Sequence, residues 1–150
     1  MSVAVTFDLP PPGFVLGWAF AGDLFITAGH KGSLSDERLD EYQAAIESRE
    51  FSCVLGIAIG AIGVTSVQRK RIAQLLKGKK IIVITDSAIS RGIMTALGWL
   101  GLDIKSFNVT EFELAAEQFD LPNLPASEIL KVATTLKDQC HPDYVQRAAM

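Results

Sequence analysis

The stretch Lys79–Phe107, KKIIVITDSAISRGIMTALGWLGLDIKSF, constrains the fold more than any other part of the chain. It opens on an apolar strand, Ile81 to Thr85, with no polar alternation. A polar turn at Asp86 and Ser87 leads into an amphipathic helix, Ala88 to Leu100. Gly101 stops that helix, and a second strand follows at Ile104 to Phe107. A strand that is apolar on both faces has to be covered on both. Strand, capped helix and strand therefore predict a parallel sheet with helices on its faces. The same geometry puts the polar turn at the carboxyl edge of the sheet, where open α/β sheets keep their functional groups.

The rest of the chain extends this pattern. Met1 to Gly13 ends in three prolines and a glycine and reads as an extended arm outside the core. Phe14 to Phe20 and Asp23 to Ala28, split by Ala21-Gly22, predict an antiparallel hairpin. After Gly29 to Gly32, Ser33 or Ser35 caps a helix over Ser35 to Ser48, with Asp36 and Glu37 in its first turn. Leu39, Tyr42, Ala45 and Ile46 recur there at helical spacing. Ser52 to Ile59 is a central strand and Gly60 to Gly63 a loop. Thr65 or Ser66 starts a helix through Leu76, which turns Ile72, Leu75 and Leu76 inward and ends at Gly78.

Beyond the opening block, Thr110 with Glu113 predicts a capping box and a helix to Phe119. A last helix runs from Ser127 to Lys137. The expectation is one α/β domain over residues 14–138, with a mixed, mostly parallel sheet flanked by helices, an opening hairpin and an extra C-terminal helix. Residues 139–150 read as a loose tail.

Composition narrows the classes of function. Apolar residues make up 49 % of the chain. That fits either a sheet covered on both faces or an apolar surface for a protein partner or a homodimer. A net charge of −3 argues against nucleic acid. No apolar run reaches the length of a membrane span. The N-terminus has neither the basic start nor the apolar core of a signal peptide, so a cytoplasmic location is expected. Cys53 and Cys140 lie far apart, and His30 and His141 have no second ligand at metal spacing. No metal and no cofactor are expected, and Cys53 reads as an inert core thiol.

Two loops share the predicted carboxyl edge. Gly60-Ala61-Ile62-Gly63-Val64-Thr65-Ser66 combines two glycines with a helix start. Such a turn can hold an anion or present a hydroxyl for phosphorylation. Equally, it can be a plain turn with Thr65 or Ser66 as cap. Its spacing is neither a Walker loop nor a dinucleotide fingerprint. In Thr85-Asp86-Ser87-Ala88-Ile89-Ser90-Arg91, Asp86 or Ser87 caps the helix. Arg91 then either binds an anion or pairs with an acidic neighbour.

The candidate site is thus Gly60, Gly63, Thr65, Ser66, Asp86, Ser87 and Arg91. Basic Arg69, Lys70, Arg71, Lys77, Lys79 and Lys80 face an acidic first helix, a pattern that either steers a charged partner or is a solvated surface. Trp18 and Trp99 read as core or sheet-packing residues, with Trp99 the alternative anchor for a partner. No G-x-S-x-G elbow is present, no histidine lies near Asp86 in sequence, and no catalytic residue is assigned.

From about Gly17 to Phe119 the element order and the two loops resemble the STAS domain, the fold of bacterial anti-sigma-factor antagonists and of the cytoplasmic ends of sulfate transporters. The segment VLGIAIGAIGVTSVQRKRIAQLL stands where that family carries a phosphorylatable loop followed by a helix. The resemblance implies that Thr65 and Ser66 are the counterparts of the phosphorylated residue. IIVITDSAISRGIMTALGWLGLDIKSF matches the later strand, polar turn and helix ending in an apolar–Gly–Leu step. Gly-Val-Thr-Ser replaces the family's Asp-Ser-Ser-Gly-like signature, and no acidic residue precedes Thr65. The resemblance implies a non-enzymatic bacterial regulatory module that docks a protein and is switched at Thr65 or Ser66. The alternative is a small-molecule-binding domain for a nucleotide, a phosphate or an acyl group held between the two loops.

Overall fold

A computed structural model describes residues 4–8 and 15–140. The fold is α/β, with a six-stranded mixed sheet in the order β1-β2-β3-β5-β7-β8. The hairpin joins β2 (Leu16–Ala21) to β3 (Leu24–Gly29), antiparallel, with Trp18 opposite Thr27. Gly22 makes the two-residue turn at φ 59°, the glycine-first geometry whose twist suits a hairpin. From β3 the sheet runs parallel through β5 (Cys53–Ala58), β7 (Lys80–Thr85) and β8 (Asp103–Phe107).

Each parallel step moves outward in the same direction. Right-handed crossovers therefore put α1 (Asp36–Glu47), α2 (Ser66–Leu76) and α3 (Ala88–Trp99) on one face. The other face is covered by α4 (Phe112–Ala116) and α5 (Ala126–Cys140).

Alternation along the strands separates two cores. Leu24, Ile26, Leu55, Ile57, Ile82 and Ile84 pack under α4 and α5. Trp18, Phe25, Val54 and Val83 pack under α1 to α3. Phe20 stacks on Phe25 at 4.6 Å, and Tyr42 meets Trp18 edge-on at 5.8 Å. Arg38 on α1 is 1 % exposed, with its guanidinium 3.9 Å over the Trp18 ring. It donates to Leu16 O at 2.8 Å, Glu41 at 3.0 Å and Asp8 at 3.1 Å, so burial leaves the charge well partnered.

Several expectations change. Within the predicted arm, Val5–Asp8 forms β1, an edge strand antiparallel to β2. The other residues of 1–13, apart from Ala4, lie outside the described residues, as does Phe14. Ile62–Gly63, read as loop, is a short strand β6 paired with Gly32–Ser33, β4. The helix expected from Thr110 is a 3₁₀ turn, Val109–Glu111, followed by the short α4. Its box is set two residues earlier, since the Glu111 carboxylate accepts from the Asn108 N–H at 2.9 Å. The last helix runs on to Cys140, so Gln139 and Cys140 belong to it, while residues 141–150, His141 included, lie outside the described residues.

Trp99 is not a packing residue: it is 84 % exposed. Its helix is apolar in sequence, yet only Ser90 and Leu97 are buried. Only two turns of that helix meet the core, so the rest of its apolar surface faces outward.

Candidate functional site

The two predicted loops do adjoin, because β5 and β7 are parallel neighbours with Ala58 opposite Thr85. Gly60, at φ +81°, donates its N–H to Asp86 Oδ1 at 2.9 Å. The Ser90 hydroxyl donates to Gly60 O at 3.3 Å. Gly63 lies in β6. Thr65 caps α2 in a full capping box: its hydroxyl accepts from the Gln68 N–H at 3.1 Å, and Gln68 Oε1 accepts from the Thr65 N–H at 2.9 Å. Gln68, 4 % exposed, also donates to Leu34 O and to Asp36 Oδ1, each at 2.9 Å, which ties α2 to the start of α1. Ser87 caps α3, its hydroxyl accepting from the Ser90 N–H at 3.3 Å.

Much of the polar rim therefore satisfies itself. The amides of Gly60, Thr65, Gln68, Ser87 and Ser90 are engaged by protein oxygens. Ser66 stays exposed in the first turn of α2. Arg91 is exposed and makes no side-chain ion pair among the described residues. The basic run is partly spent as well, since Arg71 reaches Asp40 at 2.6 Å and Gln43 at 2.7 Å across the α1–α2 seam.

The larger chemical opportunity lies beneath that rim. Between the sheet and α1 to α3 is a cavity of about 130 Å³. Its wall runs from Ile62, Val64 and Ser90 at the carboxyl edge to Leu76, Leu97 and Leu102 at the other end. No charged side chain lines it. Gly56 stands on the middle strand of the floor, and a Cβ built there would lie 3.4 Å from Thr27 Oγ1 and 3.5 Å from a Val83 methyl. Both are ordinary contacts, so a methyl fits and the glycine leaves part of the space open.

Three residues of the wall carry hydroxyls: Thr27, Tyr42 and Ser90. Burial raises the Tyr42 phenol above its ordinary value of 10.0, which keeps it neutral. The sequence places Tyr42 on the inner face of α1, but that position by itself does not point to a cavity. Gly56 is the one signal that points to it, because a lone glycine in an apolar strand marks missing volume.

A second, more polar pocket lies on the other face of the same edge, lined by His30, Asp86, Lys137, Asp138 and Cys140 among others. His30 Nδ1 lies 3.1 Å from Lys31 O. Cys140 is 2 % exposed, and burial pushes its thiol up to about 12. A neutral thiol is a poor nucleophile, so this pocket does not make an activated cysteine. No group of three metal-ligating side chains occurs among the described residues. Nor is any helix among them long and apolar enough to cross a membrane. Compared with known proteins, the chain matches no family model, no curated protein and no solved structure.

Proposed function

We propose that the chain is a small-molecule-binding domain that holds a small apolar ligand between the sheet and the α2–α3 layer. The supporting observation is the uncharged cavity of about 130 Å³. A void of roughly 150 Å³ lined by aliphatic and aromatic side chains is known to stay dry and to take benzene. The size suits a six-membered ring or a short acyl chain. The acyl reading of the sequence is thereby favoured over a nucleotide or phosphate, which would need the rim amides that the protein already uses. Helix α3 offers a way in, because its Ile93, Met94 and Leu97 form one wall of the cavity while both of its ends are exposed.

Toluene tests this. At about a hundred times its Kd it should stabilise the fold by about 2.7 kcal/mol. A Gly56→Val variant, which fills the floor, should fold and lose that shift, while Gly56→Ala controls for the backbone. Absence of any shift with saturating toluene overturns the reading.

A second reading is favoured by a separate observation. Val67, Ile89 and Trp99 are 75 %, 63 % and 84 % exposed along the starts of α2 and α3 and the far end of α3. Such residues serve a regulatory module that docks a protein, as the STAS resemblance implies. Its phosphorylation switch falls more readily on exposed Ser66 than on Thr65, whose hydroxyl is held in the cap. Trp99→Ser should leave the melting temperature unchanged and abolish self-association or partner capture. Unchanged sedimentation and capture count against docking through α3.

A further inference from the structure

The cavity is apolar but not featureless. Thr27 sits on β3 directly opposite Gly56, and Tyr42 leans on Trp18 and Phe25 from α1. Both residues line the void. Tyr42 is 5 % exposed, yet its hydroxyl makes no hydrogen bond among the described residues, and the same holds for Thr27. Ser90, the third, is already spent on Gly60 O. Thr27 is only half-buried, and neither hydroxyl is sealed away among the described residues, so the cavity that both residues line is where each can find a partner.

Resting on the ligand-binding reading above, we propose that the natural ligand carries a neutral hydrogen-bonding group, a hydroxyl or a carbonyl, that pairs with Tyr42 and Thr27 while its apolar body fills the space over Gly56. A carboxylate or phosphate does not meet that description. No charged side chain lines the cavity to offset its desolvation, and both hydroxyls together supply too little to hold an anion there. Tyr42 is kept protonated by its burial, so it can donate to such a group at any ordinary pH.

The logic is that of sites built to pair a hydroxyl. A ligand lacking the group leaves the protein's own polar atoms stranded, and discrimination exceeds what volume alone provides.

Phenol and toluene differ little in shape and greatly in this one respect. Their Kd values should be measured by calorimetry for wild type, for Tyr42→Phe, for Thr27→Val and for the double variant. Hydration favours toluene in every protein, so the informative quantity is the phenol-to-toluene affinity ratio. It should fall about tenfold from wild type to the double variant, the loss of one net hydrogen bond. Benzoate should bind none of the four.

Because both substitutions conserve volume and remove unpartnered polar atoms, the variants should fold at least as stably as wild type. Toluene binding with an unchanged ratio, or tight benzoate binding, overturns the proposal and leaves the apolar site standing. Failure of toluene and phenol alike overturns the site and the proposal together.

Discussion

At the scale of single residues, two buried acids link this fold to pH. Cys140 rises from 9.0 to about 12, and Tyr42 rises above 10.0, both through burial. Each group is neutral in the native state and ionises earlier in the unfolded chain. Above pH 9 the unfolded thiol sheds its proton while the native one keeps it, and above pH 10 the same holds for the phenol. The unfolded state then binds fewer protons, so stability falls as pH rises and is fully present below pH 9. The urea midpoint should therefore drop as pH rises from about 9 to about 10.5, and drop less in a Cys140→Ala, Tyr42→Phe double variant. Identical losses in the two proteins would show that these groups do not carry the effect. The same pair illustrates what a sequence conceals. Tyr42 reads as one more inward position on α1, and Cys140 as part of a tail. Their protonation depends on what surrounds them, which spacing along the chain does not encode.

At the scale of elements, legibility followed local chemistry. The β2–β3 hairpin, α1, β5, α2, β7, α3 and β8 lie close to where periodicity and caps put them, because Ser35, Thr65 and Ser87 accept amide hydrogen bonds at the helix starts as their residue types predict. The misses are elements held by distant partners. β1 exists only because β2 offers an unpaired edge, with Thr6 set opposite Phe20. β4 and β6 exist only as each other's complement. After β8 the sequence points to a box of Thr110 with Glu113, whereas the structure uses Asn108 with Glu111, which has the same spacing. The candidate site divides in the same way. Adjacency of the Gly60 and Asp86 loops was readable from the strand–helix pattern. The use of their amides by Gln68, Asp86 and Ser87 was not, since it depends on rotamers and on chain far away. Helix α3 is the sharpest case. Its apolar sequence predicts burial, but the strand before it and the edge strand after it leave it seated on Ser90, Ile93, Met94 and Leu97, with Ile89 and Trp99 exposed.

At the scale of the whole molecule, the sheet divides two layers of unequal strength. On one side α5 buries Ile129, Val132, Ala133, Leu136 and Cys140 against the central strands. On the other, the cavity lies under α2 and α3, and α3 carries Gly92 and Gly98, each costing about 1 kcal/mol relative to alanine in a helix. Its neighbour β8 is the sheet's edge, with no fully buried residue. Local opening should follow this asymmetry, because segments with few buried contacts open well below the global free energy. Native-state hydrogen exchange should therefore find the amides of α3 and β8 opening first, while those of β3, β5 and α5 exchange only with global unfolding. Ligand in the cavity touches Ile93, Met94 and Leu97 and binds only the closed form, so toluene should slow exchange in α3 by more than it slows α5 at low denaturant. The two effects are separable: uniform protection across both layers would mean that the molecule opens as one unit. In that case α3 does not move on its own, and a ligand reaches the cavity only through global unfolding.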